Sequence, residues 1–394
     1  MDGNNRQFSQ QPAQPQDQPA NPYYQQGFQQ APQYGYNPYM QQAPQQVPVQ
    51  GYDPFILPKQ APFDSKSAKK HFSGIGLSYF IFSIVAAAIQ IGVSIAVDTV
   101  NPDLWDNYLF MILASILPMY LVGAPICILM MKRLPSEKPD KASWGFGRFI
   151  AGLIIALGLM YIGSFIGTYI GLLIEQFAPE AQASTNVVQD LVFNGDMVVN
   201  LIIMVIVGPV VEELLFRKLL CDRLRIYGEG ITVAVTGLMF GLFHGNLTQF
   251  VYAGLLGCLL AYVYLKCGRV SVTIAYHIII NFIGSIVPLI LLRNVDIDLL
   301  EEMLEAGDNE VLTEYAMENI AGILGYCLFA VAVFGCMIVG LILLIVFGAT
   351  GKIRFRPGRF TIPSGKRFTV ALINVGMILF ILSEIGEILI NMFA

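Results

Sequence analysis

Long apolar segments recur along most of this chain and constrain its fold more than any other feature. After residue 70, apolar runs reach about 20 residues, the length that a helix needs to cross a bilayer. A helix satisfies its own backbone hydrogen bonds, so it is the form in which separate runs cross lipid. The sequence therefore predicts an all-α fold, a polytopic transmembrane helical bundle of roughly 8–9 spans.

The low charge content also indicates a membrane protein. Only 13% of the 394 residues are charged, whereas soluble proteins are about 25% charged. The net charge of −5 argues against nucleic acid as a partner. We therefore expect the lipid bilayer as the surroundings and no nucleic acid. The few charges inside the spans mark where chemistry should be sought, because each one is costly in lipid.

The first 60 residues differ in composition from the rest. They contain 17 Gln and 10 Pro with scattered Tyr and little aliphatic surface. Such a segment cannot offset the entropy lost on ordering. Residues 1–70 are therefore predicted to be a disordered cytoplasmic tail, more a solvated tether than a docking arm, and residues 71–394 the membrane domain. No charged start with a following apolar stretch is present, so no cleaved signal peptide is expected.

Nine spans are predicted, and the loops between them predict the orientation. The spans are placed at 74–97, 107–131, 148–175, 197–226, 230–246, 247–265, 270–292, 319–348 and 368–392. Lys and Arg concentrate in 132–148 and 349–367, whereas 293–318 holds nine acids and one Arg. Cytoplasmic loops carry the excess of Lys and Arg. We therefore expect a multi-pass protein of the cell membrane with a cytoplasmic N terminus.

The six cysteines give no sign of a disulfide framework. All of them lie in predicted spans or at their cytoplasmic ends: Cys127, Cys221, Cys258, Cys267, Cys327 and Cys336. None forms a C-x-x-C pair. We interpret them as packing residues.

The fourth predicted span carries an unusual density of charge for a segment in lipid. It reads Gly208-Pro209-Val210-Val211-Glu212-Glu213-Leu214-Leu215-Phe216-Arg217, and the Gly-Pro is expected to kink it. Glu213 and Arg217 are four residues apart with the acid first, the favourable order for a helical ion pair. We therefore expect Arg217 to neutralise Glu213 and to leave Glu212 facing a cavity. The alternative is a purely structural ion network between helices.

The fifth predicted span places a histidine at the level of these acids, in a motif that runs from Phe240 to His244. A lone histidine on an apolar helix is more often a packed core residue. Here a functional site is favoured because His244 is expected at the same depth in the membrane as Glu212. Glu212 lies 16 residues before the turn at Gly228, and His244 lies 16 residues after it. At about 1.5 Å per residue both lie roughly 24 Å from that turn, so antiparallel helices would bring them together.

The seventh predicted span adds His277 and Asn281, which share one helix face because they are four residues apart. Each alone is explained by a helix–helix hydrogen bond. Together with Glu212 and His244 they suit hydrolysis of an amide. The carboxylate and one histidine activate water, while the second histidine and the amide donate hydrogen bonds to a developing oxyanion. This chemistry needs no cofactor or metal; the competing interpretation is a metal site of two histidines and one carboxylate.

The ordered motifs E-E-x-x-x-R, F-x-x-x-H and H-x-x-x-N on successive spans resemble those of the CPBP family. This family comprises the type II CAAX prenyl endopeptidases and their bacterial Abi relatives, which are intramembrane glutamic proteases. The resemblance covers residues 197–292, which would form the catalytic core of the membrane domain. It implies a helical membrane protease that acts on a peptide or protein substrate at the membrane.

The resemblance assigns two kinds of role. It implies that Glu212 activates the hydrolytic water with His244, and that His277 and Asn281 form an oxyanion hole. Supporting roles fall to Glu213, Arg217 and Phe240. Lys218 stands where the family often has Gly after the Arg, and we expect it to alter helix packing or the charge at the entrance.

Other function classes and residues stay open. A non-proteolytic scaffold or immunity protein would bind a partner through the same cavity. A transporter is suggested by Glu384 and Glu387 in the last predicted span, although no inverted repeat supports it and outward snorkelling is favoured for both. His71 precedes the first predicted span and is expected at the surface. The oligomeric state and the substrate do not follow from the sequence.

Overall fold

The computed structural model describes residues 63–185, 195–307 and 309–393, and all regular structure in these ranges is helical. The predicted tail lies outside the described residues up to position 62. Its last part is already helical, because the first helix begins at Ser65. Asp64 caps this helix by accepting hydrogen bonds from the backbone N–H groups of the next turn. The helical region therefore begins before the expected boundary at residue 71.

The helices of the described ranges are α1 (Ser65–Val100), α2 (Tyr108–Met131), α3 (Phe146–Glu175), α4 (Met197–Tyr227), α5 (Glu229–Leu242), α6 (Leu247–Cys267), α7 (Val270–Leu292), α8 (Ile297–Ala306), α9 (Asn309–Glu318), α10 (Ile320–Ala349), α11 (Arg367–Ala371) and α12 (Val375–Phe393). Among them, α1 to α4, α6, α7, α10 and α12 are long and apolar enough to cross a membrane, which makes eight. The predicted all-α, polytopic bundle is confirmed.

The segment expected as the fifth span, 230–246, forms a shorter helix. α5 has 14 residues, about 21 Å at 1.5 Å per residue, and a full crossing needs about 20 residues. It ends in a tight turn in which Gly245 has a φ of +59°, a conformation that L side chains rarely adopt. Asn246 then caps α6 by accepting from the backbone N–H of Gln249 at 3.0 Å. α5 and α6 are therefore a hairpin whose first arm is too short to count as a span.

Close contact between glycines holds the two arms of this hairpin together. A Cβ on Gly241 of α5 would lie 2.6 Å from the carbonyl oxygen of Phe250 and 3.1 Å from the Cα of Gly254 in α6. A side chain at Gly241 would thus collide with α6 backbone. Small residues of this kind let helices approach closely in membranes, where apolar burial alone gives no preference for protein over lipid.

Helix α4 is irregular on both sides of the acid pair. Two π-helical stretches, Leu201–Val207 and Leu214–Cys221, flank the α-helical turn Gly208–Glu213, in which Pro209 has no N–H to donate. Carbonyl groups in the irregular stretches accept from neighbouring helices. Tyr79 of α1 donates to Leu215 O at 2.9 Å, and Asn281 of α7 donates to Met204 O at 3.0 Å. Irregular backbone is tolerated at membrane depth where such partners exist, and π-helical turns are frequent at functional sites.

Candidate active site

The two adjacent glutamates of α4 have different surroundings. Glu213 is fully buried, and its Oε2 lies 3.1 Å from the Nε of Arg217, which is also fully buried. Its other oxygen, Oε1, lies 3.0 Å from the Nδ1 of His277. Glu213 therefore has a cation on one oxygen and an imidazole on the other, as a charge buried in lipid requires.

Glu212 is the more open of the two acids. Its side chain is 20% exposed, and its Oε2 lies 3.8 Å from the Nε2 of His277. A Cβ on Gly208 would lie 3.8 Å from its Oε1 and 3.5 Å from the hydroxyl of Tyr120, so a tyrosine of α2 borders the same space. Glu212 thus keeps a carboxylate that is not locked into an ion pair and that faces an accessible space.

The ring of Phe240 connects α4, α5 and α7 at the level of the acids. The guanidinium carbon of Arg217 lies 4.4 Å from the ring centroid, a cation–π contact. The terminal nitrogens of Arg217 have no hydrogen-bond partner among the described residues, so this ring supplements the ion pair that its Nε forms with Glu213. The Phe240 ring also meets the imidazoles of His244 and His277 edge to face, at centroid distances of 4.8 and 5.8 Å. Both histidines are thus gathered around one aromatic side chain.

His244 lies in the turn that follows α5 and is half-buried. Its Nδ1 is 2.7 Å from the carbonyl oxygen of Phe240, so this nitrogen carries the proton and donates. The Nε2 of the neutral ring is then left with a lone pair. The rings of His244 and His277 both contact Phe240, and His277 lies 3.8 Å from Glu212, so the three groups lie near one another. This position agrees with the equal numbers of residues that separate Glu212 and His244 from the turn at Gly228.

Asn281 lies one turn beyond His277 on α7. One of its amide N–H groups donates to Met204 O in the irregular part of α4, and an amide has a second N–H. The amide therefore joins α7 to α4 and retains one donor. His277 donates from Nδ1 to Glu213, while its Nε2 points toward Glu212. The structure thus gathers Glu212, Glu213, Arg217, Phe240, His244 and His277 at one level, with Asn281 one turn away.

Two contacts from α12 reach the turn that carries His244, and the sequence does not predict them. Asn391 donates from its side-chain amide to Gly245 O at 2.8 Å. A Cβ on Gly245 would lie 2.7 Å from Oε1 of Glu387, so that carboxylate packs against the same turn. These residues are more than 140 positions from the turn, and no local pattern in the sequence indicates the pairing.

The expectations for Glu384 and His71 are wrong. Glu384 does not snorkel outward; it is 1% exposed, and Ser83 of α1 donates to it at 2.7 Å. His71 is not a surface residue; it is 6% exposed, and its Nδ1 lies 2.9 Å from the hydroxyl of Tyr227. The reason in both cases is helix packing. α1 extends beyond the predicted span at its N-terminal end, where it packs against the α4–α5 turn, and it also packs along α12.

No three His, Cys, Asp or Glu side chains converge as metal ligands in the part of the chain that the structure describes. Each of the two histidines near Glu212 already uses one ring nitrogen and keeps Nε2. His277 uses Nδ1 on Glu213 and His244 uses Nδ1 on a carbonyl. The arrangement supports acid–base and hydrogen-bond chemistry at one point.

These features define a multi-pass helical membrane protein with a buried site made of a carboxylate, two imidazoles and an amide. Comparison with known proteins indicates which class of membrane protein this is. Residues 194–283 match the model of the family described as type II CAAX prenyl endopeptidase Rce1-like. This range contains every predicted site residue and nearly coincides with the predicted core, 197–292.

A curated relative is similar over a longer stretch. The Bacillus subtilis (strain 168) protein named "Putative membrane peptidase YdiL" is 27% identical over 178 residues, which cover 43% of this chain and 69% of that protein. No solved structure matches the chain significantly. Together, the two matches confirm the similarity to the CPBP family of membrane peptidases. The class supported is thus a peptidase embedded in the membrane.

Proposed function

We propose that this protein is an intramembrane endopeptidase of the glutamic type, in which Glu212 and His244 activate the water that hydrolyses a peptide bond. The observation that carries the proposal is the division of labour between the two acids of α4. Glu213 is fully buried between Arg217 and His277, whereas Glu212 is partly exposed and faces Nε2 of His277. The paired Glu213 alone would suffice for a structural ion network. Glu212 adds a carboxylate that is available for chemistry.

The water is activated by two acceptors. The carboxylate of Glu212 takes a proton from water while the lone pair on Nε2 of His244 orients it, since Nδ1 is occupied by Phe240 O. The oxygen of the water bonds to the peptide carbonyl carbon and gives a tetrahedral oxyanion. When the C–N bond breaks, the proton held by Glu212 passes to the leaving nitrogen. The products are a carboxylic acid and an amine, and no other reactant is needed.

The oxyanion is stabilised by donors on α7. The second N–H of Asn281 is available because only one bonds to Met204 O. His277 can donate from Nε2 only when both of its ring nitrogens carry a proton. The carboxylates of Glu213 and Glu212, which lie on either side of the ring, favour that charged form. Donors fixed by neighbouring helices need little reorganisation during the reaction, which is the main source of oxyanion stabilisation in enzymes.

The substrate proposed is a peptide segment presented at the membrane. The matched family's name describes a CAAX prenyl endopeptidase, so a prenylated C-terminal peptide is the first compound to assay. The membrane peptide content of cells carrying the wild type or Glu212→Gln, compared by mass spectrometry, would identify natural substrates. We expect peptides that accumulate with Glu212→Gln and are cleaved with wild type.

A matched control separates catalysis from expression effects. Glu314→Gln makes the same change at an exposed acid of α9, far along the chain from the site, and should behave as wild type. His244→Ala should behave as Glu212→Gln. If Glu212→Gln and His244→Ala give the same peptide profile as wild type, the glutamic mechanism is wrong.

A chelator tests the alternative of a metal site. Activity that is lost with a chelator and restored by a divalent metal would instead support a site in which the histidines and Glu212 bind a metal.

A further inference from the structure

A cavity lies at the end of the bundle where α4 turns into α5. Its volume is about 710 Å³, within the range of small-molecule sites. The lining includes Ile231, Ala234 and Leu238 of α5, together with Phe368 of α11 and Leu372 after it. Arg356 and Arg367 also line it. The cavity is therefore apolar along its walls and carries two cations.

This cavity is separate from the candidate active site. Along α5, Ala234 is exposed, whereas Phe240 is 1% exposed and packs toward α4 and α7. At about 100° per residue, Leu238 and Phe240 point to nearly opposite sides of the helix. An occupant of the cavity would thus cover the outer face of α5 and would not contact Glu212.

The rim of the cavity is fixed by backbone hydrogen bonds. The N–H of Glu229 donates to Arg356 O at 3.0 Å, and the N–H of Arg356 donates to Oε2 of Glu229 at 2.7 Å. Phe360 N–H donates to Ile226 O at 2.9 Å. Lys266 forms an ion pair with Glu229 and neutralises it. The segment 352–367, which we call the basic segment, is therefore tied to the α4–α5 turn, and the position of Arg356 is set by that attachment.

The basic segment has no counter-charge of its own. It contains six basic residues and no acid: Lys352, Arg354, Arg356, Arg359, Lys366 and Arg367. None of the six forms an ion pair with a carboxylate within the described ranges. Two of these cations line an apolar cavity, so the chemistry that fits combines an anionic head with an apolar chain.

We propose that this cavity binds one anionic phospholipid of the leaflet that the basic segment faces, with the phosphate held by Arg356 and Arg367 and an acyl chain lying along α5. The wall from Ile231 to Leu238 is about 10 Å long, which suits a stretch of acyl chain. A free phosphate compound would pair with the arginines but would leave the apolar wall in water. Anionic headgroups are attracted to clustered Lys and Arg beside a membrane.

The test uses the purified full-length protein in a neutral detergent. Phosphatidylglycerol, phosphatidylcholine or inorganic phosphate is added, and bound lipid is measured by native mass spectrometry together with the midpoint of thermal unfolding. We expect phosphatidylglycerol to bind at one copy per chain and to raise the midpoint, with phosphatidylcholine and phosphate giving little shift. Equal effects of the two lipids, or the same shift with phosphate alone, would overturn the proposal.

Two double variants locate the site. Arg356→Gln with Arg367→Gln removes the cations that line the cavity, and the affinity for phosphatidylglycerol should fall at least about tenfold, as expected for lost charge-assisted bonds to phosphate. Lys352→Gln with Arg354→Gln removes the same charge from the basic segment at positions that do not line it, and should leave binding near wild type. Equal losses in the two variants would mean that only the net charge matters and would contradict the assigned site. The readout is lipid binding, so it is independent of proteolysis.

Discussion

At the scale of single residues, the neighbouring glutamates of α4 illustrate how surroundings set a role. Glu213 and Arg217 are both fully buried and 3.1 Å apart. Removing one partner of such a pair leaves the other charge buried without compensation, which costs about 3–5 kcal/mol. Glu212 belongs to no such pair, because its contact with His277 is longer and its side chain reaches the open space.

Glu213→Gln is therefore expected to destabilise the fold. The midpoint of thermal unfolding of the purified protein should fall clearly, because Arg217 stays buried and loses the carboxylate with which it pairs. Combining it with Arg217→Met should recover much of the loss, since replacing both charges of a buried pair by apolar or neutral groups is often close to neutral. A double variant no more stable than Glu213→Gln alone would argue against the pairing.

The two histidines of the site are expected to contribute differently to stability, because their contacts differ. His244 is held by one backbone carbonyl and keeps a free nitrogen, whereas His277 touches both acids. His277→Ala should therefore reduce both thermal stability and cleavage, while His244→Ala should reduce cleavage with a smaller loss of stability. Both are measured on the same preparations. If His277→Ala unfolds at the wild-type midpoint, its contact with Glu213 contributes little.

At the scale of elements, α12 supports the hairpin that carries His244. Asn391 donates to Gly245 O, and Gly245 has a positive φ that a side chain would strain. α12 lies outside the matched segment 194–283, so the site depends on a part of the chain that the family match does not cover. The α5–α6 turn is positioned from two sides, by α12 and by the cap of α6.

Asn391→Ala should loosen this turn. The loss of one hydrogen bond is expected to cost about 1 kcal/mol of stability, and displacement of His244 should lower kcat more than it changes KM. Asn391→Gln, which keeps the amide on a longer chain, should recover part of the activity. Unchanged kcat in the alanine variant would show that α12 does not position the turn.

How far the sequence alone predicts the site can be traced through these elements. The Glu213–Arg217 pair follows from a spacing of four residues in one helix, and the depth of His244 follows from counting residues to a turn. The bond from Asn281 to Met204 and the bond from Asn391 to Gly245 join positions 77 and 146 residues apart. No local periodicity predicts such contacts. The π-helical turns of α4, whose carbonyl groups accept hydrogen bonds from neighbouring helices, are likewise not predicted from an apolar run.

At the scale of the whole molecule, the apolar runs predict the architecture well because hydropathy and length decide which segments cross lipid. The main difference is α5, whose 14 residues are too few for a span. The sequence places the boundary between the fifth and sixth predicted spans at 246–247, close to the observed turn, but it extends the fifth span beyond Leu242, where α5 ends. The turn that follows has a positive φ at Gly245 and the cap of α6 at Asn246. The 14 residues of α5 still bring His244 back toward the level of the acids in α4.

The orientation remains a prediction from Lys and Arg, and cysteine labelling tests it. Ser364→Cys lies in the basic segment and Asp103→Cys in an acid-bearing connection, and both positions are exposed. With a membrane-impermeant maleimide, Asp103→Cys should be labelled in intact cells and Ser364→Cys only after permeabilisation. Wild-type protein gives the background from its own cysteines. The reverse pattern would invert the predicted topology.

The cleavage rate of Glu212→Gln in proteoliposomes tests most directly whether Glu212 activates the hydrolytic water. With a peptide substrate identified from membranes, we expect kcat to fall by about 10²–10⁴, the usual contribution of a general base, while the midpoint of thermal unfolding stays at the wild-type value because Glu212 is not part of the buried pair. A folded Glu212→Gln protein that cleaves at the wild-type rate would contradict the account.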